Sequence, residues 1–354
     1  MGQLFCCRKV IDSQNKNNFL YQLNRFIPNS INDNNDILNI SSNSNNSNNG
    51  YKIKKYNYHY RGQCFKENLN SEKGKYKFLF YDISQNTSLI IEKKLDIVKS
   101  IEGLSELNLD QSLYLCGNSR LEANEGSFLF ELNPINPKTK ILVNSVYTHY
   151  YPSLISLENN YIFCIGGKNQ IHCEYYNIEE KIWIPLPKLP EERYMCTLSH
   201  DSKYNSIYLF GGINSRKCNI NGELYIENDY ILRLKIDINL EWEKIGVKEN
   251  NEKKLLKRIS AGSLVFDDQK DNIYILGGEN EKKQYLDDII IFNINSKNLN
   301  KTNQKLQFPT IFFNQYSKKY ENNTYMYVFI DKFNNIIKID KHDFIEWSYE
   351  KLDI

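Results

Sequence analysis

Alanine and methionine are nearly missing from this chain: of 354 residues, two are Ala (Ala123 and Ala261) and 3 are Met. The residues that most favour helices are therefore scarce, and a helical bundle is disfavoured. A surplus of one charge is missing too. With 45 basic against 43 acidic residues the formal charge is only +2, which argues against a dedicated nucleic-acid binder. No run approaches the roughly 20 apolar residues of a membrane-spanning helix, and no apolar signal peptide opens the chain. Cys6, Cys7, Cys64, Cys116, Cys164, Cys173, Cys196 and Cys218 follow no disulfide framework. They read as reduced structural thiols in a cytosolic setting, with Cys116 and Cys164 acting as small hydrophobes inside apolar runs.

Catalytic spacings are absent as well. The sequence holds no G-x-S-x-G elbow, no phosphate-binding G-x-x-x-x-G-K-[S/T], no G-x-G-x-x-G and no H-E-x-x-H. Histidines 59, 149, 172, 200 and 342 stand singly. His172 beside Cys173 is the one tight Cys/His pair, and it lacks partners at zinc-ligand spacing. No metal, no cofactor and no catalytic residue is assigned.

What the chain has in quantity is aromatic residues, 26 Tyr and 18 Phe, which favour strands. They recur in order. "YIFCIGG" (Tyr161 to Gly167), "SIYLFGG" (Ser206 to Gly212) and "NIYILGG" (Asn272 to Gly278) are close copies, and "SLYLCGN" and "TYMYVFID" are weaker ones. Aligned at Gly117, Gly167, Gly212, Gly278 and Asp331, the steps are 50, 45, 66 and 53 residues. A second segment recurs in the same units: Tyr176 precedes Trp183 in "EYYNIEEKIW", related segments end at Trp242 and Trp347, and Phe292 precedes Leu299 at the same gap. "KFLFYDISQNTSLI" and "SFLFELNP" look like this segment in earlier copies. Each unit therefore reads as four strands. The second ends at a Gly pair (Gly166-Gly167, Gly211-Gly212, Gly277-Gly278), where the chain turns without a Cβ, and the third ends in Asn or Asp turn chemistry. Such a sheet buries its faces by stacking on its neighbours.

A Gly pair after four apolar residues, then an aromatic and, after six intervening residues, a Trp, at a period near fifty, resembles the kelch repeat. The resemblance covers roughly residues 51–354. The period is longer than that of WD40 repeats, and no Gly-His…Trp-Asp pairing occurs. It implies an all-β, kelch-type β-propeller, with six four-stranded blades if Lys77 to Ile90 counts as the first unit. Trp183, Trp242 and Trp347 are expected to pack between blades. Some kelch propellers are copper radical oxidases, so an enzyme with its site in the propeller channel is the alternative to a protein-binding module. Residues 1–50 carry no BTB-like or F-box-like pattern, so the ubiquitin-ligase adaptor role of some kelch proteins is not expected.

The first 50 residues divide in two. Residues 11–50 are rich in Asn and Ser and bury too little apolar surface to offset their ordering entropy, so they are expected to form a disordered linker. Residues 1–10, "MGQLFCCRKV", resemble an acylation signal. Gly2 is the expected myristoylation site, although Cys6 stands where Ser or Thr is preferred, and Cys6 and Cys7 are the expected palmitoylation sites. Arg8 and Lys9 add charge suited to an anionic leaflet. The expected location is the cytoplasmic face of a membrane, with a soluble cytoplasmic protein as the alternative.

The longest departures from the repeat are residues 213–228 and 246–258, at second-to-third and fourth-to-first strand connections. In an up-and-down blade both lie on one face. Loops of this kind carry function on propellers. Arg193 and Arg258 stand just before a first strand, often the partner-contacting rim in kelch domains. With Lys168, Arg216, Lys217, Lys253, Lys254 and Lys257 they are expected to form a basic rim complementary to an acidic protein segment or to lipid headgroups.

Overall fold

Every residue of "SLYLCG" (Ser112–Gly117) is buried. A strand of this kind needs cover on both faces, not the single covered face of an amphipathic hairpin. In the computed structural model this strand is the second of a four-stranded antiparallel sheet: β4 (Leu104–Leu109), β5 (Ser112–Gly117), β6 (Phe128–Leu132) and β7 (Lys140–Ile141). Before it lies a three-stranded sheet of β1 (Tyr60–Phe65), β2 (Lys75–Asp82) and β3 (Thr87–Lys94). The next two sheets are β8 (Ser153–Leu157), β9 (Tyr161–Ile165), β10 (Cys173–Asn177) and β11 (Ile182–Leu186), then β12 (Tyr194–Asp201), β13 (Ser206–Ile213), β14 (Tyr230–Lys235) and β15 (Trp242–Gly246). The last two are β16 (Arg258–Asp267), β17 (Asn272–Asn280), β18 (Leu286–Asn293) and β19 (Asn298–Thr310), then β20 (Phe312–Lys319), β21 (Tyr325–Asp331), β22 (Asn335–Asp340) and β23 (Trp347–Lys351).

The structure describes residues 60–351 apart from the connections 66–74, 83–86, 95–102, 110–111, 119–125, 134–139, 202, 215–229, 238–239, 248–257, 268–270, 281–283, 311, 320–324, 332–334 and 341–346. The chain divides into two units, Met1–Tyr58 and His59–Ile354. The expected linker at 11–50 and the acylation sites Gly2, Cys6 and Cys7 lie outside the described residues.

Within the second unit every sheet runs antiparallel in chain order, as expected for an all-β propeller, and no helix occurs among the described residues. The first strands touch in succession: β4 against β8, β8 against β12, β12 against β16, β16 against β20, and β20 against β4. The three-stranded sheet packs β1 against β4 and β5. Six four-stranded blades were expected; among the described residues five sheets have four strands and the first has three.

The repeated sequence positions do the same job in each unit. Tyr176 faces Trp183 across β10–β11, Leu234 faces Trp242 across β14–β15, and Ile339 faces Trp347 across β22–β23. Phe292 faces Leu299, so the fifth sheet keeps the pair without the Trp. Alternate residues of one strand serve two neighbours, because successive side chains point to opposite faces. Leu113 and Leu115 of β5 pack with Phe78 and Phe80 of β2, while Tyr114 and Cys116 pack with Ile162, Cys164, Tyr176 and Trp183 of the following sheet. Farther along, Tyr208, Phe210, Ile231 and Ile245 meet Ile273, Ile275, Ile290 and Phe292. Full burial of one such side chain stabilises by about 1.5–3 kcal/mol, so the joints between sheets are the core of the molecule.

The tryptophans add a directed bond to that packing. The Trp183 indole Nε1 donates to the Val143 carbonyl at 2.7 Å, and that of Trp242 donates to the Pro187 carbonyl at 3.1 Å. Both acceptors follow the last strand of the preceding sheet, so each indole ties its sheet to the one before it. The side chain of Trp347 lies outside the described residues.

Candidate functional site

The connections after second strands and before first strands come together on one face. Gly166 and Gly167 have φ of 63° and 134°, Gly211 and Gly212 of 62° and 89°, and Gly277 and Gly278 of 63° and 107°. A side chain is disfavoured there by backbone conformation alone. Space forbids it too at Gly166, where an added Cβ would stand 2.4 Å from the Arg193 carbonyl oxygen. The freed backbone stitches both neighbouring segments to this turn. Gly167 N donates to Arg193 O at 2.9 Å, Lys168 N to Tyr150 O at 2.7 Å, and Leu189 N to Ile171 O at 2.8 Å.

Behind this surface lies a buried clasp. His149 and Glu174 are both fully buried. The ring places Nε2 2.8 Å from Glu174 Oε1 and Nδ1 2.5 Å from the Gly166 carbonyl oxygen. Each ring nitrogen thus faces an oxygen of a neighbouring segment, so the ring bridges β10 and the turn after β9. Glu174 also accepts from Val146 N at 2.9 Å and Tyr147 N at 3.1 Å. One carboxylate on β10 therefore gathers the whole approach to β8.

Arg193 does the equivalent work one sheet later. Its Nη1 donates to the Gly211 carbonyl at 2.9 Å, its Nη2 to Glu191 Oε1 at 2.5 Å, and its guanidinium lies 5.2 Å from the Tyr230 ring centre. Tyr230 donates its hydroxyl to the same Glu191 oxygen. His149 and Arg193 each precede by two a residue with φ of 55°, Tyr151 and Met195. Each also accepts, at its carbonyl, the amide that ends the preceding second-strand turn: Asn118 N at 2.8 Å on His149 and Gly167 N at 2.9 Å on Arg193.

The expectation that Arg193 lends charge to a partner-contacting rim is therefore corrected. Only 2% of Arg193 is exposed, and its donors are spent on a backbone carbonyl and an internal carboxylate. A position just before a first strand looks like rim in sequence but is the joint between blades. His149 and Glu174 were not picked out from sequence, because His149 looked like a lone histidine. Its correspondence to Arg193 was the available signal.

The surface over the clasp is aromatic and polar. Tyr147 and His172 stack with centres 4.1 Å apart, Tyr150 and Tyr151 meet edge-on at 4.6 Å, and Lys168 Nζ stands 6.0 Å from the Tyr150 ring centre. Half-buried Lys168 and exposed Lys188 bring positive charge, and exposed Val146 and Met195 add apolar area. Burial lowers the His172 pKa, helped by the charge of Lys188. Arg216, Lys217, Lys253, Lys254 and Lys257 lie outside the described residues; Arg258 opens β16, and its side chain is not described. Among the described residues no group of three or more His, Cys, Asp or Glu side chains is arranged to hold a metal ion.

No protein-family profile matches the chain. It is similar to a kelch repeat-containing protein of Dictyostelium discoideum, 29% identical over 152 residues, which are 39% of this chain and 23% of the relative. The matched stretch thus spans under a quarter of that protein. In sequence likeness and in its repeated four-stranded antiparallel sheets alike, the chain is consistent with a kelch-repeat protein.

Proposed function

We propose that this protein is a non-enzymatic protein-interaction module, held at the cytoplasmic face of a membrane by acyl chains on Gly2 and on Cys6 or Cys7. The observation that carries the interaction reading is the ordered rim over the His149–Glu174 clasp. There Tyr147, Tyr150, His172 and Lys168 come from two connections pinned to each other by backbone bonds. A rigid platform of aromatic rings with cations at its margin costs little ordering entropy on binding. Lys168 and Lys188 on this face, together with Arg216, Lys217, Lys253, Lys254 and Lys257 in the long connections, favour an acidic protein segment as partner.

The tether rests on the sequence of the first ten residues. One myristoyl chain binds membranes only marginally, at about 10⁴ M⁻¹, and a second chain converts that into stable anchoring. The two parts of the reading are tested separately. For the rim, proteins captured by intact chain in cells are identified and re-bound to purified protein carrying Lys168→Glu with Lys253→Glu, Lys254→Glu and Lys257→Glu. Loss of an acidic partner supports the reading, and unchanged binding of every partner overturns it. For the tether, alkyne-myristate labelling and cell fractionation compare intact protein with Gly2→Ala. An unlabelled, soluble intact protein overturns the anchor and leaves the binding module standing.

A further inference from the structure

The joint between the second and third sheets holds a feature that neither the repeat nor the rim requires. Cys116 on β5 and Cys164 on β9 lie 48 residues apart, and each is fully buried. Their sulfur atoms stand 3.8 Å from each other, with the Cys116 thiol directed at its partner. Both occupy second strands, facing each other across two sheets that share no strand pairing. Tyr114, Leu129, Ile162, Tyr176 and Trp183 complete the cluster around them, so the pair sits in apolar surroundings.

We propose that Cys116 and Cys164 are a latent disulfide, an oxidation-responsive staple between two adjacent blades. A disulfide needs sulfurs at about 2.0 Å, so closing the 3.8 Å gap asks the two side chains to rotate and the joint to adjust around them. Cys173 and Cys196 are also free, and Cys173 neighbours Cys164. Their thiols have other partners: Cys173 Sγ points to the Ile171 carbonyl at 3.8 Å, and the Cys196 thiol is hydrogen-bonded by the Ser153 side chain.

The chemistry is thiol–disulfide exchange with a low-molecular-weight disulfide such as oxidised glutathione. One protein thiolate attacks a sulfur of the oxidant and expels one glutathione thiolate. The second protein thiol, losing its proton, attacks the mixed disulfide and expels the other. Two cysteines are oxidised, one disulfide is reduced to two thiols, and the two protons pass to the departing thiolates. Burial pushes the Cys164 thiol well up from its ordinary range, and its Cys116 neighbour adds to this. Only the thiolate attacks, so the packed joint resists exchange. The staple forms while the joint is opening or not yet packed, and persists once it has closed.

Full-length protein is unfolded and refolded in a buffer containing oxidised and reduced glutathione, and in parallel the folded protein is incubated with oxidised glutathione. Expected is loss of two titratable thiols on refolding, a non-reduced proteolytic map with a peptide containing Cys116 linked to one containing Cys164, and reversal by dithiothreitol. Folded protein should gain the same link far more slowly. Cys116→Ala and Cys164→Ala should each abolish it without a new link elsewhere. Because the map is made on unmodified sequence, the test stands even if a variant folds poorly. Linkage of Cys116 or Cys164 to other cysteines instead, stable glutathione adducts on both, or a fully reduced pair after refolding would overturn the proposal.

Discussion

Replacing Glu174 by alanine tests whether the buried clasp holds the ring together. Its carboxylate is fully buried and accepts from Val146 N at 2.9 Å, Tyr147 N at 3.1 Å and His149 Nε2 at 2.8 Å. Truncation leaves His149 Nε2 without its carboxylate partner, and a buried polar group left unpaired costs about 1–3 kcal/mol. Two backbone amides lose their acceptor as well, at about 1–3 kcal/mol each when nothing replaces it. Water entering the vacated space offsets part of this, so the effects do not add. The expected loss is about 4 kcal/mol, a large share of the 5–15 kcal/mol that holds a domain folded. An exposed pair such as Lys140–Glu131, at 3.2 Å, should by contrast lose under about 1 kcal/mol on Glu131→Ala. Urea unfolding of both variants, followed by Trp fluorescence, measures the two losses. Equal and small losses in the two would falsify the clasp as a structural element, because burial would then have made no difference.

The tryptophan joints should respond in two steps: Trp183→Phe keeps most of the packing and loses the bond to Val143, at about 1 kcal/mol, whereas Trp183→Ala should cost about 3–5 kcal/mol. Chemical denaturation separates them, and equal costs would contradict the bond. Gly166→Ala meets both a φ of 63° and the Arg193 carbonyl at 2.4 Å, so it should destabilise clearly, while Gly246→Ala, with nothing within 4 Å, should change the thermal midpoint little. His200 supplies a pH test, since burial brings its imidazole down from 6.5 to about 4. Between those values the unfolded chain binds a proton that the folded one does not, so stability is complete above pH 6.5 and falls towards pH 4, by about 3 kcal/mol at most. Burial raises the nearby Asp201 carboxyl, which acts with the opposite sign near pH 4. His200→Gln should flatten the fall in the urea midpoint across that window; an unchanged slope would show that His200 does not cause it.

Local sequence determined the repeated unit. A turn that needs two successive positive φ angles admits Gly and little else, so Gly166-Gly167, Gly211-Gly212 and Gly277-Gly278 announce themselves. The aromatic-to-Trp gap is likewise set by a short hairpin, and it returns as the cross-strand pairs Tyr176–Trp183 and Phe292–Leu299. Even the loss of Trp in the fifth sheet was readable, because Leu299 fills the same place. Tertiary structure alone decided which charges face solvent. Arg193 sits in a local pattern that reads as exposed rim, but its donors are taken by Gly211 and Glu191, and Tyr230, from another strand, covers it. His149, a lone histidine in sequence, reaches Glu174 only because β10 lies beneath the approach to β8. Hydrogen bonds between residues adjacent in a strand or turn are written into neighbouring letters of the chain. The bond that closes the His149–Glu174 clasp joins segments 25 residues apart, and no local pattern records that these two will meet.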